Sequence, residues 1–320
     1  MAGNKRIVVI GGGTGLSTML KGLKLYTRRI TAVVTVADDG GSSGLLRNDL
    51  GMLPPGDIRN CINALADTNP ILKELISYRF PDCGALSGHS FGNLMLAALN
   101  GVSDSFDEAV LKMNQLCGVE GLVLPVTNEN VHLEAELCDG SIVCGESFIG
   151  SAQRHGAGIK RLKIVPEKPK PVKSVLDAIA AADIIVMGPG SLYTSIIPNL
   201  LVDGVAEAII NSPAKKLYVC NVMTQPGETD GYTVSDHLRA IKRHSAEGIV
   251  DCVLANNAPV PEKLLEKYRS QGADIVPVDA EKLKGVKLDL SNFLWTENEL
   301  VRHDYIALGK RICELADGDF

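Results

Sequence analysis

Ile7-Val8-Val9-Ile10-Gly11-Gly12-Gly13-Thr14-Gly15-Leu16 joins four β-branched apolar residues to a cluster of glycines. The apolar run predicts a strand buried on both faces, and the spacing of the apolar residues after it predicts a helix over about 16–26. Because the free N–H groups and the positive dipole end of a helix start attract anions, the glycines predict a phosphate-binding loop. The dinucleotide fingerprint has Gly or Ala where this chain has Leu16, so a plain packing turn stays the alternative.

A second stretch rich in β-branched residues, 30–37, predicts the neighbouring parallel strand. It runs into small and acidic residues, beginning with Asp38 and Asp39 and continuing through Ser42 and Ser43. In dinucleotide-binding folds an acidic residue at this place accepts hydrogen bonds from a ribose, and Asp38 has the matching position. We interpret the whole run as a functional loop rather than as a solvated turn.

Two further polar stretches stand before predicted helices. Asp57 is suited to cap the start of a helix that ends near residue 66. His89, Ser90 and Asn93 open the following helix, and we expect His89 and Ser90 to face outward from its first turn. A Ser-His pair without an acidic partner does not make a catalytic triad, so no catalytic residue is assigned.

Residues 121 to about 165 show a different pattern. Residues 131–137 alternate apolar and polar side chains, an Asp139-Gly140 turn follows, and 141–144 lead back. Period-two alternation around an Asp-Gly turn predicts a β-hairpin. We interpret this part as a hairpin insertion or sheet extension within a single domain, residues 1–320.

Strands and helices alternate again in the second half of the chain. The predicted strands cover residues 183–187, 216–222, 250–255 and 275–278. Polar and glycine residues follow the strand ends, among them Gly188, Gly190, Ser191, Asn221, Thr224, Gln225 and Asn256. Further on, Tyr268 could stack on a base or merely pack, and Arg302 could bind a phosphate or form a surface ion pair.

The strand-end residues together predict the fold and the place of the site. Ligands of open parallel sheets bind outside the carboxyl ends of the strands, where the strand order reverses. We therefore expect Gly12, Asp38, Gly188, Asn221 and Asn256 to converge. The predicted fold class is α/β, a Rossmann-like, mostly parallel sheet with helices on both faces and an antiparallel hairpin extension.

Composition excludes several classes of protein. The 320 residues carry a formal net charge of −6, which argues against nucleic-acid or membrane binding through bulk positive charge. No N-terminal run resembles a signal peptide, and no apolar run reaches the roughly 18 residues of a membrane span, so we expect a cytoplasmic protein. The eight cysteines are scattered without a C-x-x-C pair and indicate neither zinc nor a disulfide framework.

Six ordered motifs carry a resemblance to a known family. They are Gly-Gly-Gly-Thr-Gly-Leu (11–16), Asp-Asp-Gly-Gly-Ser-Ser-Gly (38–44), Pro-Pro-Gly-Asp-Ile-Arg-Asn (54–60), His-Ser-Phe-Gly-Asn (89–93), Gly-Pro-Gly-Ser-Leu-Tyr-Thr-Ser (188–195) and Asn-Val-Met-Thr-Gln-Pro-Gly-Glu-Thr (221–229). Together they resemble the YvcK-like gluconeogenesis-factor family, which is similar to CofD, the phospholactate transferase of deazaflavin coenzyme synthesis. The resemblance implies a cytoplasmic protein that binds UDP-sugars, notably UDP-N-acetylglucosamine. It also implies a role in carbon-source-dependent cell shape and wall synthesis, with no established reaction.

The same resemblance implies which residues bind the ligand. The residues expected in the nucleotide cleft are Gly12, Gly13, Thr14, Asp38, Asp39, Gly188, Ser191, Asn221, Thr224 and Gln225. Tyr268 and Arg302 would contact the distal parts of the ligand. From the adjoining motifs we add Gly11, Gly15, Ser42, Ser43, His89, Asn93 and Gly190.

Three functions stay open at this point. The first is a nucleotide-sugar-binding regulatory protein without a metal, with a UDP-sugar or similar small molecule and an unidentified protein of wall synthesis as partners. The second is a CofD-like transferase in which Asp39 or Asp57 holds Mg²⁺ between phosphates. The third is an NAD-dependent oxidoreductase, suggested by the first strand and Asp38. We expect no nucleic-acid partner and leave self-association open.

Overall fold

The structure is a computed structural model that describes residues 4–150 and 157–318. Its strands are β1 Ile7–Gly11, β2 Ile30–Val34, β3 Leu122–Pro125, β4 His132–Leu137, β5 Ile142–Cys144, β6 Ile159–Val165, β7 Ile184–Met187, β8 Lys215–Val219, β9 Cys252–Asn256, β10 Lys287–Ser291, β11 Leu294–Glu297 and β12 Leu300–His303. Its α-helices are α1 Gly13–Leu23, α2 Gly41–Leu50, α3 Gly56–Leu65, α4 Pro70–Ser77, α5 Phe91–Gly101, α6 Phe106–Leu116, α7 Glu146–Ile149, α8 Lys173–Ala181, α9 Ile197–Leu200, α10 Val205–Asn211, α11 Val234–Arg243, α12 Glu262–Ser270 and α13 Tyr305–Asp317.

The main sheet is parallel and has the strand order β10-β9-β8-β7-β1-β2-β3. The chain leaves β1 toward β3 on one side and then returns to build β7 to β10 on the other. Right-handed crossovers in opposite directions place the connecting helices on both faces. This is the doubly wound Rossmann order with its switch point between β1 and β7, and the predicted fold class is confirmed.

The central strands are buried because helices cover both of their faces. All five residues of β1 are buried, and β7 is buried along its whole length. On one face α1 packs against α3 and α13, and elsewhere α8 packs against α10. The runs of Val and Ile in these strands therefore fill the core rather than alternating with polar residues.

The antiparallel part forms a small sheet of its own, with the order β5-β4-β6. β4 pairs with β5 across the Asp139-Gly140 turn and with β6 on its other side. The predicted hairpin and its extension to Val165 are therefore confirmed. A second hairpin, formed by β11 and β12, was not predicted.

The predicted strand 275–278 is wrong. Ile275 forms only an isolated antiparallel bridge with Met223, and the edge of the main sheet is β10 instead. Pro277 explains the difference, because proline has no N–H to donate to a strand ladder. The actual edge strand carries Lys287 and Asp289, and such charges are typical of exposed sheet edges.

The first helix begins earlier than the sequence predicts, and a helix that was not predicted occupies part of the loop after Asp38. The first helix starts at Gly13 rather than near Leu16, so part of the glycine loop lies in its first turn. The run after Asp38 is not a long loop, because α2 already begins at Gly41. Ser42 and Ser43 therefore lie on the first turn of a helix.

Helices α1 and α13 cross at two glycines. A Cβ on Gly22 would lie 1.8 Å from the Tyr305 carbonyl oxygen, and one on Gly309 would lie 2.6 Å from the Gly22 carbonyl carbon. The two backbones thus approach more closely than any side chain allows. Because α13 follows β12 directly, this contact fixes the β11–β12 hairpin relative to α1.

The described residues contain no single helix long and apolar enough to cross a membrane. Only the bent pair Leu192–Leu200 and Val205–Asn211 has the length and composition for it when both parts are taken together.

Candidate functional site

A cleft of about 420 Å³ opens at the carboxyl ends of β1, β7 and β8. It lies at the switch point of the strand order, where parallel sheets of this kind bind ligands. Of the residues predicted from the sequence, the structure places these in its lining: Gly12, Gly13, Thr14, Gly15, Gly190, Ser191, Asn221, Thr224, Gln225, Tyr268 and Arg302. Residues that were not predicted as site residues, including Thr18, Gln271 and His303, complete the walls.

The glycine loop forms the floor of the cleft. Gly12 is extended, and Gly13 has a φ of +67°, a left-handed conformation that favours glycine. A Cβ on Gly15 would lie 2.7 Å from the Pro189 carbonyl oxygen, so the loops after β1 and β7 touch through their backbones. The N–H groups of the first turn of α1 have no partner within the helix and can meet an anion.

A carboxylate already occupies the first of these N–H groups. Asp57 accepts a hydrogen bond from Gly13 N–H at 2.7 Å. The prediction that Asp57 caps its own helix is wrong, because α3 begins at Gly56 and has no side-chain cap. Burial and the charge of Asp38 both raise the pKa of Asp57, whereas the hydrogen bond from Gly13 lowers it. The net result is a pKa of about 6. A phosphate on the loop would therefore lie beside this carboxyl group.

The wall after β7 and β8 is held by a chain of side-chain hydrogen bonds. Gln225 Nε2 donates to Ser191 Oγ at 2.8 Å, and Asn221 Nδ2 donates to Gln225 Oε1 at 3.5 Å. Thr224 Oγ1 accepts from Asp274 N–H at 2.9 Å. Ser191 also precedes a π-helical turn over 192–196, a feature often found at functional sites.

The opposite wall is formed by α12 and β12. The Tyr268 hydroxyl accepts a hydrogen bond from Val301 N–H at 2.9 Å, which fixes the ring beside the hairpin. Arg302 is exposed and forms no ion pair with any residue that the structure describes. Its guanidinium is thus available for a phosphate or carboxylate of a ligand.

His303 adds a neutral imidazole to this wall. Its Nε2 lies 3.1 Å from the Cys220 carbonyl oxygen. Burial lowers the pKa of His303 to about 4, so the ring is uncharged at neutral pH. A neutral ring bonded to a carbonyl must donate through Nε2, which leaves Nδ1 as an acceptor.

Four predicted site residues form a separate cluster outside the cleft. Ser42 Oγ lies 3.1 Å from His89 Nδ1 and accepts from Asn93 Nδ2 at 3.1 Å, while Ser43 Oγ accepts from Gly56 N–H. The prediction that His89 and Ser90 face outward is wrong. His89 is buried against α2, and Ser90 is buried because its Oγ caps α5 by accepting from Asn93 N–H.

Other predicted residues support neighbouring loops and do not line the cleft. Asp38 accepts from Gly40 N–H, and both oxygens of Asp39 accept from the backbone N–H groups that open α7. Asn256 bonds the backbone of Ala258 and of Phe293 at its own strand end. Gly11 and Gly188 lie at the strand ends directly beneath the cleft loops.

Two acids with raised pKa values were not predicted from the sequence, the buried Glu228 and the half-buried Glu146. Glu228 accepts from Tyr193 N–H at 3.2 Å, and burial raises its pKa to about 7. Partial burial, with the charges of Asp38 and Asp39, raises the pKa of Glu146 to about 8. Glu228 lies in the polar run after β8 and could have been suspected there, whereas nothing in the sequence around Glu146 indicates its surroundings.

The raised pKa of Glu228 predicts a stability that depends on pH. The folded protein holds this proton up to about pH 7, whereas the unfolded chain releases it near pH 4.5, so the free energy of unfolding falls as pH rises between these values. The glutamine side chain of Glu228→Gln is always neutral. We therefore expect this variant to lose the fall in the free energy of unfolding that Glu228 causes between these pH values, a change of about a few kcal/mol. Urea unfolding of both proteins at pH 5 and pH 7 measures it. Equal pH dependence in both would contradict the assignment.

Among the residues that the structure describes, no group of three or more His, Cys, Asp or Glu side chains is arranged to hold a metal ion. Asp38 and Asp57 are close enough for the charge of one to affect the other. Mg²⁺ commonly takes one or two carboxylates and completes its shell with phosphates and water. These two carboxylates would therefore fit Mg²⁺ only together with the phosphates of a bound nucleotide.

Comparison with known proteins identifies the family. The family model described as 2-phospho-L-lactate transferase CofD matches residues 7–293. The chain is 54% identical to a "Putative gluconeogenesis factor" of Thermoanaerobacterium thermosulfurigenes, covering 93% of each chain. It is 47% identical to the "Gluconeogenesis factor" of Bacillus subtilis, covering 95% of this chain and 96% of that one.

The fold comparison agrees with the sequence comparison. A crystal structure of a UPF0052 family member from Bacillus halodurans superposes with a TM-score of 0.92 at 47% identity. The match covers 97% of this chain and 99% of the other. Sequence identity at this level over nearly the full length shows membership of the same family, not only the same fold. The chain therefore belongs to the CofD family and, within it, to the gluconeogenesis factors.

Proposed function

We propose that this protein is a regulatory protein that binds a nucleotide-sugar of the UDP-N-acetylglucosamine type in the switch-point cleft. Its occupancy would link carbon metabolism during gluconeogenic growth to cell shape and wall synthesis, through a protein partner. The observation that carries the proposal is that one cleft is lined by a glycine-rich helix start and by Arg302, which forms no ion pair with the described part of the chain.

The chemistry of the two walls supports a ligand with a diphosphate. The first turn of α1 offers backbone donors to one phosphate, and Arg302 offers a planar, charged donor from the other side. The cleft of about 420 Å³ lies within the roughly 300–1,000 Å³ of small-molecule sites. The negative net charge of −6 makes such local donors necessary for anion binding.

The remaining lining suits a base and a sugar. Tyr268 presents a ring that its bond to Val301 holds in place, and stacking on a base needs such a fixed ring. Gln225, Asn221 and the neutral His303 supply amide and imidazole groups that pair with carbonyl, hydroxyl and N–H groups.

A second candidate is a CofD-like transferase acting on a nucleotide-linked phosphoryl donor. The match of the family model over residues 7–293 and the place of Asp57 beside the glycine loop favour it. In that case Asp38 and Asp57 would hold Mg²⁺ with the donor phosphates. Asp39 is the weaker choice, because both of its oxygens bond the start of α7.

Calorimetric titration separates these functions. We expect UDP-N-acetylglucosamine to bind with one site per chain, and UMP, GDP and NAD⁺ to bind more weakly because each lacks the sugar or presents another base. Chromatography of the ligand after incubation with Mg²⁺ should return it unchanged. Absence of binding heat would refute the nucleotide-sugar proposal, and consumption of a nucleotide-linked donor would favour the transferase.

A further inference from the structure

Two arginines meet at the start of α5, outside the cleft, and neither forms an ion pair with a described residue. The side chain of Arg59, on α3, donates no hydrogen bond to any described residue, and its Nε is buried. Burial lowers the pKa of Arg59, and the positive charge of Arg79 lowers it further, more than the charge of Asp57 raises it. Arg79 is exposed and Arg59 is half-buried with its Nε enclosed, so a negative group bound beside them would offset both the repulsion between the two charges and the desolvation of Arg59.

Both arginines are held at the start of α5. The stem of Arg59 crosses the first turn of that helix, since a Cβ on Gly92 would lie 2.7 Å from Arg59 Cδ. Arg79 Nη1 donates to the Gly88 carbonyl oxygen at 2.6 Å, and Arg79 forms an isolated bridge with Ser90. The two positive side chains thus meet the positive end of an eleven-residue helix.

Asn93, in the first turn of the same helix, provides an independent sign of a missing ligand. This residue is 2% exposed, and its Nδ2 donates to Ser42 Oγ while its Oδ1 has no hydrogen-bond partner among the described residues. Turning the amide by 180° lets Ser42 donate to Oδ1 and leaves Nδ2 as the free donor. A buried amide with one end unpaired destabilises the fold unless a ligand completes its hydrogen bonds.

We propose that Arg59, Arg79 and Asn93, with Ser42 and His89 behind them, form a second binding site that takes an oxyanion of a small metabolite. The ligand class is a phosphate or carboxylate group, because arginine binds both through paired N–H donors. The site is distinct from the cleft, since none of these five residues lines it. Asp57 lies two positions before Arg59 and contacts the glycine loop, so α3 joins the two sites.

Titration with two simple anions tests the site at constant ionic strength. Inorganic phosphate and malonate serve as probes of the phosphate and the carboxylate class, and calorimetry gives their dissociation constants. We expect at least one of them to bind, and the stronger one names the class. Failure of both to bind would overturn the proposal.

Three variants locate the binding. Arg79→Gln, at an exposed position, and Arg59→Gln should each weaken the bound probe about tenfold or more. Arg28→Gln removes an exposed arginine paired with Glu120 and should leave probe binding unchanged. Unchanged binding in Arg79→Gln, or equal loss in Arg28→Gln, would overturn the proposal. UDP-N-acetylglucosamine titrated into Arg79→Gln reports on the cleft separately, so the failure of one site does not decide the other.

Discussion

Replacing Gly22 by alanine is expected to lower the free energy of unfolding by about 3 kcal/mol or more. The added Cβ would lie 1.8 Å from the Tyr305 carbonyl oxygen and 2.6 Å from its carbonyl carbon. These are backbone atoms, which cannot turn aside as a side chain would, so α1 and α13 must separate. Chemical denaturation, followed by circular dichroism, measures the change.

Gly101→Ala is the matched control for this substitution. Gly101 ends α5, is exposed, and an added Cβ there meets no atom within 4 Å. Alanine favours a helix over glycine by up to about 1 kcal/mol, so this variant should be neutral or slightly stabilised. Equal stability of Gly22→Ala and the parent protein would show that the two helices do not cross as described.

Replacing Arg302 by glutamine is expected to weaken UDP-N-acetylglucosamine binding about 10- to 100-fold. This range corresponds to the roughly 1.5–3 kcal/mol of hydrogen bonds to a charged group. Arg302 forms no ion pair with any described residue, so its removal should leave the free energy of unfolding nearly unchanged. Calorimetry gives the affinity, and thermal unfolding checks the stability.

Two further variants sharpen the test at Arg302. Arg302→Lys keeps the charge and loses the planar fork, so its affinity should fall between those of the parent and Arg302→Gln. Arg28 lies just before the amino end of β2, whereas the cleft lies at the carboxyl ends of the strands. Arg28→Gln should therefore bind the ligand like the parent protein. If Arg302→Gln bound the ligand as tightly as the parent, the hairpin would not form a wall of the binding site.

The fold was predictable because its signals are local. The buried run before the glycines, the strand before Asp38 and the alternating residues around Asp139-Gly140 each form the element that their pattern predicts. Right-handed crossovers then place the connecting helices on the two faces of the sheet. The place of the cleft was predictable for the same reason, since strand ends of a parallel sheet lie along one edge.

The errors concern residues whose partners are remote in sequence. The residues around Asp57 predict that it caps its own helix. In the structure it instead accepts a hydrogen bond from Gly13, which is 44 residues away in the sequence. His89 is buried because Ser42 lies against it, and the sequence does not show that α2 and α5 meet. The β11–β12 hairpin was missed because its short strands carry exposed residues without regular alternation, and its position depends on the crossing of α1 and α13.

The crossing of α1 and α13 also constrains the order in which the chain folds during its synthesis. The first and the last helix of the described residues must meet, so α1 leaves the ribosome long before its partner exists. Closing so long a loop makes the contact a late, non-local step of folding. Until α13 docks, the part of α1 that contacts it is exposed to solvent and to other chains, and the β11–β12 hairpin that carries Arg302 lacks this anchor. Ligand-binding competence should therefore arise only after α13 has been translated.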